Sequence, residues 1–213
     1  PVGLGIMGLQ DVFFALKMPF DSEPAKALST QISECLYYTA LRVSCILAQE
    51  EEPCAAFKET RLSQGVFSFE HWNLPAPVAP TDSKLSYDWE KLRSDIMTYG
   101  TRNSLLLAIA PTATIASIAG VYECIEPQTS NEFKRETMSG DFMQVNTALV
   151  RDLKARGLWT AEVRAELRKT EGSLQTCNVP DDLKALYRTV WEIPQRSLID
   201  MAAARTPFID QST

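Results

Sequence analysis

Leu105-Leu106-Leu107-Ala108-Ile109-Ala110-Pro111-Thr112-Ala113-Thr114-Ile115-Ala116-Ser117-Ile118-Ala119-Gly120 decides how this chain is read. An apolar strand breaks at Pro111 into small and hydroxyl-bearing residues that can begin a helix. That order builds an anion cradle. The first backbone N–H groups of a helix lack internal partners and together carry about half a positive charge, so they hold an anion without a Lys or Arg. Small side chains let the anion reach the main chain.

Outward from this stretch the chain reads as mostly helical, with short extended pieces. Ile32, Cys35, Leu36, Thr39, Val43, Ile46 and Leu47 recur at spacings of three and four, which predicts a long helix begun near Ser22 and Pro24 and ended before Pro53. Residues 53–87 contain Pro53, Pro75, Pro77 and Pro80 among Gly, Ser, Thr and Asp, and read as a long irregular connection over the surface. Asp88 to Met97 reads as a short amphipathic helix stopped by Gly100. Val145 to Arg156 and Thr160 to Lys169 read as two more, ended by Gly157 and Gly172, with Thr160 capping the second. Pro180 to Arg205 carries Leu183, Leu186, Tyr187, Val190, Trp191, Leu198 and Met201 on one face, with Pro194 forcing a kink or a fresh start.

Composition sets the limits. The 213 residues are 45% apolar, enough for one large domain or two small ones. No apolar run approaches the ~18 residues that cross a bilayer, and no signal segment opens the sequence, so a cytoplasmic location is expected. Five scattered cysteines, never spaced Cys-x-x-Cys, fit reduced thiols, and with His71 the only imidazole a metal site is not expected. The formal charge of -6 argues against broad nucleic-acid binding. The chain opens inside an apolar Gly-rich run and stops at Ile209-Asp210-Gln211-Ser212-Thr213 without a cap, as an excerpt of a longer protein would.

Several other constellations carry chemistry on paper. Gly3-Leu4-Gly5-Ile6-Met7-Gly8 matches G-x-G-x-x-G, but no strand precedes it and no acidic residue closes a second strand about 20 residues on; it reads as close packing at a helix start. Tyr37 and Tyr38 are adjacent but lie within a helix, where neighbours point about 100° apart, and read as core and groove packing. Glu123 and Glu126 flank Cys124 as an acid, a base and a nucleophile could. The same acids could merely cap or solvate a turn-rich loop, and both readings stand at this point. His71, beside Trp72, has no triad partner signature and reads as surface packing.

Tyr99-Gly100-Thr101-Arg102-Asn103-Ser104, running on through Leu105 to Thr114, resembles the substrate-phosphate strand and loop of the ribonucleotide reductase large subunit. Glu123-Cys124-Ile125-Glu126-Pro127 with Thr129-Ser130-Asn131, Met138-Ser139-Gly140-Asp141-Phe142, Val145-Asn146 and Gly157-Leu158-Trp159 extend the resemblance. So do Pro180-Asp181-Asp182-Leu183, Thr189-Val190-Trp191-Glu192-Ile193, Met201-Ala202-Ala203 and Phe208-Ile209-Asp210-Gln211-Ser212. Pro1 to Asp11 is similar to the family's bacterial members.

The resemblance implies one segment from the C-terminal half of a ten-stranded α/β barrel, mostly helical here with a few short strands, of the class I ribonucleoside-diphosphate reductase type. That enzyme replaces the ribose 2'-hydroxyl of a nucleotide by hydrogen through a cysteine thiyl radical. By position, Thr112, Ala113, Thr114 and Ile115 would bind substrate phosphates through backbone N–H groups and the threonine hydroxyls, with Pro111 lining the nucleotide pocket. Ile115 stands where many relatives carry a hydroxyl residue, which leaves the backbone contact alone at that position. The family's Asn-x-Cys-x-Glu radical loop, its tyrosine pair and its carboxy-terminal cysteine pair have no counterpart in the chain. The resemblance thus implies no catalytic residue, no metal and no cofactor in this segment. It implies a ribonucleotide substrate, the remainder of the large subunit and a radical-generating small subunit as partners, with a homo-oligomer possible in principle and neither nucleic acid nor membrane engaged. Two other readings stay open: a helical interaction module that keeps the scaffold without catalysis, and the cobalamin-dependent branch of the family.

Overall fold

The computed structural model describes residues 1–81, 83–137 and 140–211. Met138 and Ser139 of the Met138-to-Phe142 motif, and Ser212 of the final motif, lie outside them. In chain order the elements are α1 (Leu9–Ala15), α2 (Glu23–Glu51), α3 (Ser68–His71), α4 (Trp89–Tyr99), α5 (Ala113–Ala119), β1 (Glu132–Thr137), β2 (Gly140–Val145), α6 (Thr147–Ala155), α7 (Ala161–Lys169), α8 (Asp181–Leu186) and α9 (Gln195–Arg205). Short 3-10 turns cover Phe57–Glu59, Arg61–Gln64, Val190–Glu192 and Thr206–Phe208. Pro194 produces the fresh start of α9 rather than a kink. The chain forms two compact units, one of Pro1–Ile6, Ala27–Pro111 and Ile199–Thr213, the other of Met7–Lys26 and Thr112–Leu198.

The first unit is built on an aromatic core. Tyr37 and Leu41 of α2, Phe67 and Phe69, Trp89, Leu92 and Ile96 of α4, and Phe208 pack as one buried cluster. The tyrosine hydroxyls have work of their own: Tyr37 Oη accepts the Ser68 N–H at 2.9 Å, and Tyr38 Oη accepts the Asp88 N–H at 3.1 Å. Both tyrosines therefore join α2 to the segments it supports. The connection over 53–87 differs from the surface loop expected, because it places Phe57, Phe67 and Phe69 in the core. Aromatic burial, with short helical turns satisfying the backbone, packs it down despite its prolines.

Residues 105–109, expected as a strand, are extended and pair in parallel with the start of the chain. Val2 N–H donates to the Leu105 carbonyl (2.9 Å), Leu4 N–H to Leu106 (2.8 Å) and Ala108 N–H to Leu4 (3.0 Å). On the other side of the stretch, a carboxylate oxygen of Asp210 accepts the Leu106 and Leu107 N–H groups at 2.8 and 2.9 Å. A side chain thus does what a neighbouring strand would do. The glycine run has its explanation here. A Cβ on Gly5 would collide with the Ala108 carbonyl oxygen, so the two backbones can approach only if that residue is glycine.

The second unit packs α1, α6, α7 and α8 around Phe14, Leu149, Leu153, Leu167, Leu183 and Tyr187. Gly8 caps the N-terminus of α1 at φ 82°, a left-handed position suited to glycine. Beside this core the antiparallel hairpin β1–β2 pairs Glu132 with Val145 and Phe133 with Gln144. Asn146 then caps α6, its Oδ1 accepting the Ala148 and Leu149 N–H groups. Thr160 caps α7 through the Val163 N–H.

Candidate functional site

The second unit holds a cleft of about 710 Å³ between the start of α5, the loop after it and the hairpin. Ala113 and Thr114 line it, with Ser117 one turn on, Tyr122 and Glu123 from the loop, and Phe133, Gln144 and Asn146 from the hairpin end. The turn into α5 is made by Thr112, which adopts φ 55° and ψ 17°. That left-handed conformation is rare for a β-branched residue. Its hydroxyl is the compensation: Thr112 Oγ1 accepts the Cys124 N–H at 2.9 Å. Thr112 therefore uses one acceptor lone pair inside the protein and keeps its hydroxyl proton to offer an anionic ligand.

The first internal bond of α5 is donated by Ala116 to the Thr112 carbonyl, at 2.8 Å. Among the described residues the N–H groups of Ala113, Thr114 and Ile115 have no protein acceptor. Such amides concentrate positive potential at a helix start. Pro111 is exposed at the end of the extended stretch, and it does not line this cleft. Ile115 is 55% exposed and does not line it either. Among the described residues Lys134 is the only cationic side chain along the cleft, and its ammonium lies 2.6 Å from Asp141. An anion here would therefore rely chiefly on main chain.

The loop beyond α5 is fixed by contacts that the sequence did not announce. The Asp11 carboxylate accepts the Tyr122 N–H at 2.7 Å, and Tyr122 Oη bonds Thr129 through both its backbone and its hydroxyl. Gln128, Asn131 and Asn146 form an amide relay: Asn146 Nδ2 donates to Gln128 Oε1 (2.8 Å) and to Asn131 Oδ1 (2.9 Å), while Asn131 Nδ2 donates to the Gly172 and Tyr187 carbonyls. Asn131 and Asn146 belong to the Thr129-Ser130-Asn131 and Val145-Asn146 motifs, so the resemblance marked them without saying what they do, whereas it passed over Gln128. The relay holds the hairpin end against the loop at the edge of the cleft.

The acid, base and nucleophile reading of Glu123, Cys124 and Glu126 does not assemble. Glu123 lines the cleft; Glu126 does not. Cys124 is 6% exposed, and burial pushes its thiol above the ordinary value, away from the thiolate a nucleophile needs. All five cysteines are free thiols. Among the described residues no group of three or more His, Cys, Asp or Glu could hold a metal, and no helix is long and apolar enough to cross a membrane.

A family model described as the ribonucleotide reductase barrel domain matches residues 1–213. The chain belongs to this family. Ribonucleoside-diphosphate reductase large chains from Neurospora crassa and Schizosaccharomyces pombe are each 47% identical over 213 residues, covering all of this chain and 22% and 25% of theirs. The vaccinia virus large subunit is 45% identical over 212 residues, again over all of this chain and 27% of its own. The alpha subunit of a class Id ribonucleotide reductase from Actinobacillus ureae matches in structure with a TM-score of 0.69 at 26% identity, over 98% of this chain and 31% of that one. The fold is thus a part of the ribonucleotide reductase α/β barrel, mostly helical in this stretch. The chain spans about a quarter of the length of the curated relatives it matches.

Proposed function

We propose that this chain is a working part of a ribonucleoside-diphosphate reductase large subunit, in which the turn into α5 grips the substrate's phosphates. The observation that carries this reading is the set of three N–H groups, on Ala113, Thr114 and Ile115, without a protein acceptor at the start of α5, two of them on residues that line the cleft. Thr112 and Thr114 add hydroxyl protons, and Pro111 ends the extended stretch that leads the chain into the turn. The reaction removes the ribose 2'-hydroxyl by thiyl radical chemistry, and the radical cysteine and reducing thiols belong to the remainder of the large subunit. The radical comes from a separate small subunit. The relatives' description as large chains of diphosphate reductases favours this over the cobalamin-dependent branch and over a non-catalytic module.

Anchoring at a distance contributes to rate without touching the chemistry. Binding energy realised at the phosphates fixes the ribose within about 3–3.5 Å of the groups that react with it. The test is steady-state kinetics on the full-length reductase. Ala113→Leu places a bulky side chain over the free amides from an exposed position, so kcat/KM for ribonucleoside diphosphate should fall about 10- to 100-fold, the worth of one charge-assisted hydrogen bond or more. Cys124→Ser should stay within about twofold, since a buried thiol with a raised pKa takes no part. Equal activity of the two variants would sink the reading.

A further inference from the structure

The first unit has a second cleft, of about 310 Å³, that the phosphate turn does not involve. Its polar wall is made by Arg61, from the 3-10 turn Arg61–Gln64, and His71, the last residue of α3, with Thr60, Ser68 and Asp210 beside them. Arg61 Nη1 lies 2.8 Å from His71 Nδ1. A guanidinium does not give up its proton, so it donates and Nδ1 accepts, which puts the imidazole hydrogen on Nε2.

Two carboxylates beside this pair, Asp210 and Glu70, are engaged elsewhere. Asp210 accepts the Leu106 and Leu107 amides. Glu70 accepts the Phe67 N–H and a two-pronged contact from Arg93. Among the described residues Arg61 makes no ion pair. A permanent cation is therefore set against an imidazole, at a cleft with hydroxyls in its wall and one carboxylate, Asp210, that main-chain amides hold.

We propose that this cleft is an oxyanion site, with Arg61 and His71 gripping a tetrahedral phosphate-type dianion and Ser68 at its side. In the empty cleft burial, and then the Arg61 charge, hold His71 below the usual imidazole value, while Glu70 pulls the other way. A dianion lodged beside Arg61 offsets the guanidinium charge, so the ring can turn its Nδ1 away from Arg61, take up a proton there and donate to the anion. Binding strengthens as pH falls towards 6.

His71 is the only imidazole in the chain, which makes the test direct. The 213-residue chain, carrying ¹³C-labelled histidine, is titrated with sulfate at constant ionic strength, chloride balancing. Sulfate keeps its charge across this range, so any pH dependence belongs to the protein. The expected result is a saturable shift of the His71 ring resonance, tighter at pH 6 than at pH 8, with the titration midpoint of the ring raised. Arg61→Gln, a change at an exposed position, should weaken sulfate about tenfold or more while the unfolding midpoint stays put. Calorimetry on His71→Gln should show weaker binding with no preference for pH 6 over pH 8. Inorganic phosphate and a nucleoside 5'-monophosphate, run in parallel, separate a site for the free ion from one for a phosphate ester. A shift linear in sulfate, equalled by chloride, or unchanged in Arg61→Gln would overturn the proposal.

Discussion

Thr112 holds a backbone conformation that costs a β-branched residue about 1–3 kcal/mol, at the point where the chain turns into α5. The Cys124 N–H is the visible compensation. Thr112→Val removes the acceptor and leaves that part-buried N–H unpartnered, so urea unfolding should register a loss of about 1–3 kcal/mol. Thr112→Asn tolerates the left-handed region and offers an acceptor, and should keep most of the stability. Asp152 is the second residue whose behaviour can be derived. Burial pushes its carboxyl up, but the Lys17 ammonium and the Tyr187 hydroxyl outweigh this and hold it below the ordinary value. A depressed carboxyl stabilises the fold above the unfolded value of about 3.9 and loses that contribution as pH falls through the lower folded value. Lys17→Met should therefore be less stable than the parent at pH 7 in chemical denaturation, with the gap closing below about pH 4. At this scale the sequence was a partial guide. Small residues after Pro111 signalled open amides because size is visible in a sequence, whereas the left-handed turn at Thr112 was not, since its acceptor bond comes from a residue twelve positions away.

Elements with their own caps and periodicity were legible from the sequence, and those held by long-range partners were not. The α2 helix follows its three-and-four repeat, and α4 runs from an Asp88 cap, whose carboxylate accepts the Lys91 N–H, to Gly100. Asp88→Ala should cost about 1 kcal/mol by thermal or urea unfolding, as a lost N-cap does. Gly100→Ala should cost more, because a Cβ there meets the Pro53 side chain at 2.6 Å with φ already at 79°. The hairpin escaped detection for a physical reason: β2 from Gly140 to Met143 is exposed, so no period-two burial is written into it. The strand at Leu105 to Ile109 was visible as an apolar run, but its pairing with residues 2–4 and its closure by Asp210 depend on segments a hundred residues apart. The same holds for Gly3-Leu4-Gly5-Ile6-Met7-Gly8, whose spacing suits a dinucleotide loop while its glycines serve close packing and a helix start.

Across the whole chain, each unit gathers segments from distant parts of the sequence around its own core, and the relatives run to about four times this length. Val2, Leu4 and Leu105 along the parallel pairing, and Ile118 on α5, are exposed apolar side chains. Such surface favours association, so sedimentation of the 213-residue chain should show oligomers growing with concentration, and an apolar dye should bind it. Only the resemblance of motifs connected this fold to nucleotide reduction, because on the proposed reading the reacting thiols belong to the rest of the large subunit and this segment supplies only the phosphate turn. The central claim is that bare main chain after Thr112 holds the anionic end of the substrate. Its most direct test is equilibrium binding to the full-length reductase, comparing a ribonucleoside diphosphate with the same ribonucleoside lacking phosphate. Ala113→Leu should weaken the diphosphate about 10- to 100-fold and leave the nucleoside unchanged. A variant that weakened both equally, or neither, would contradict it.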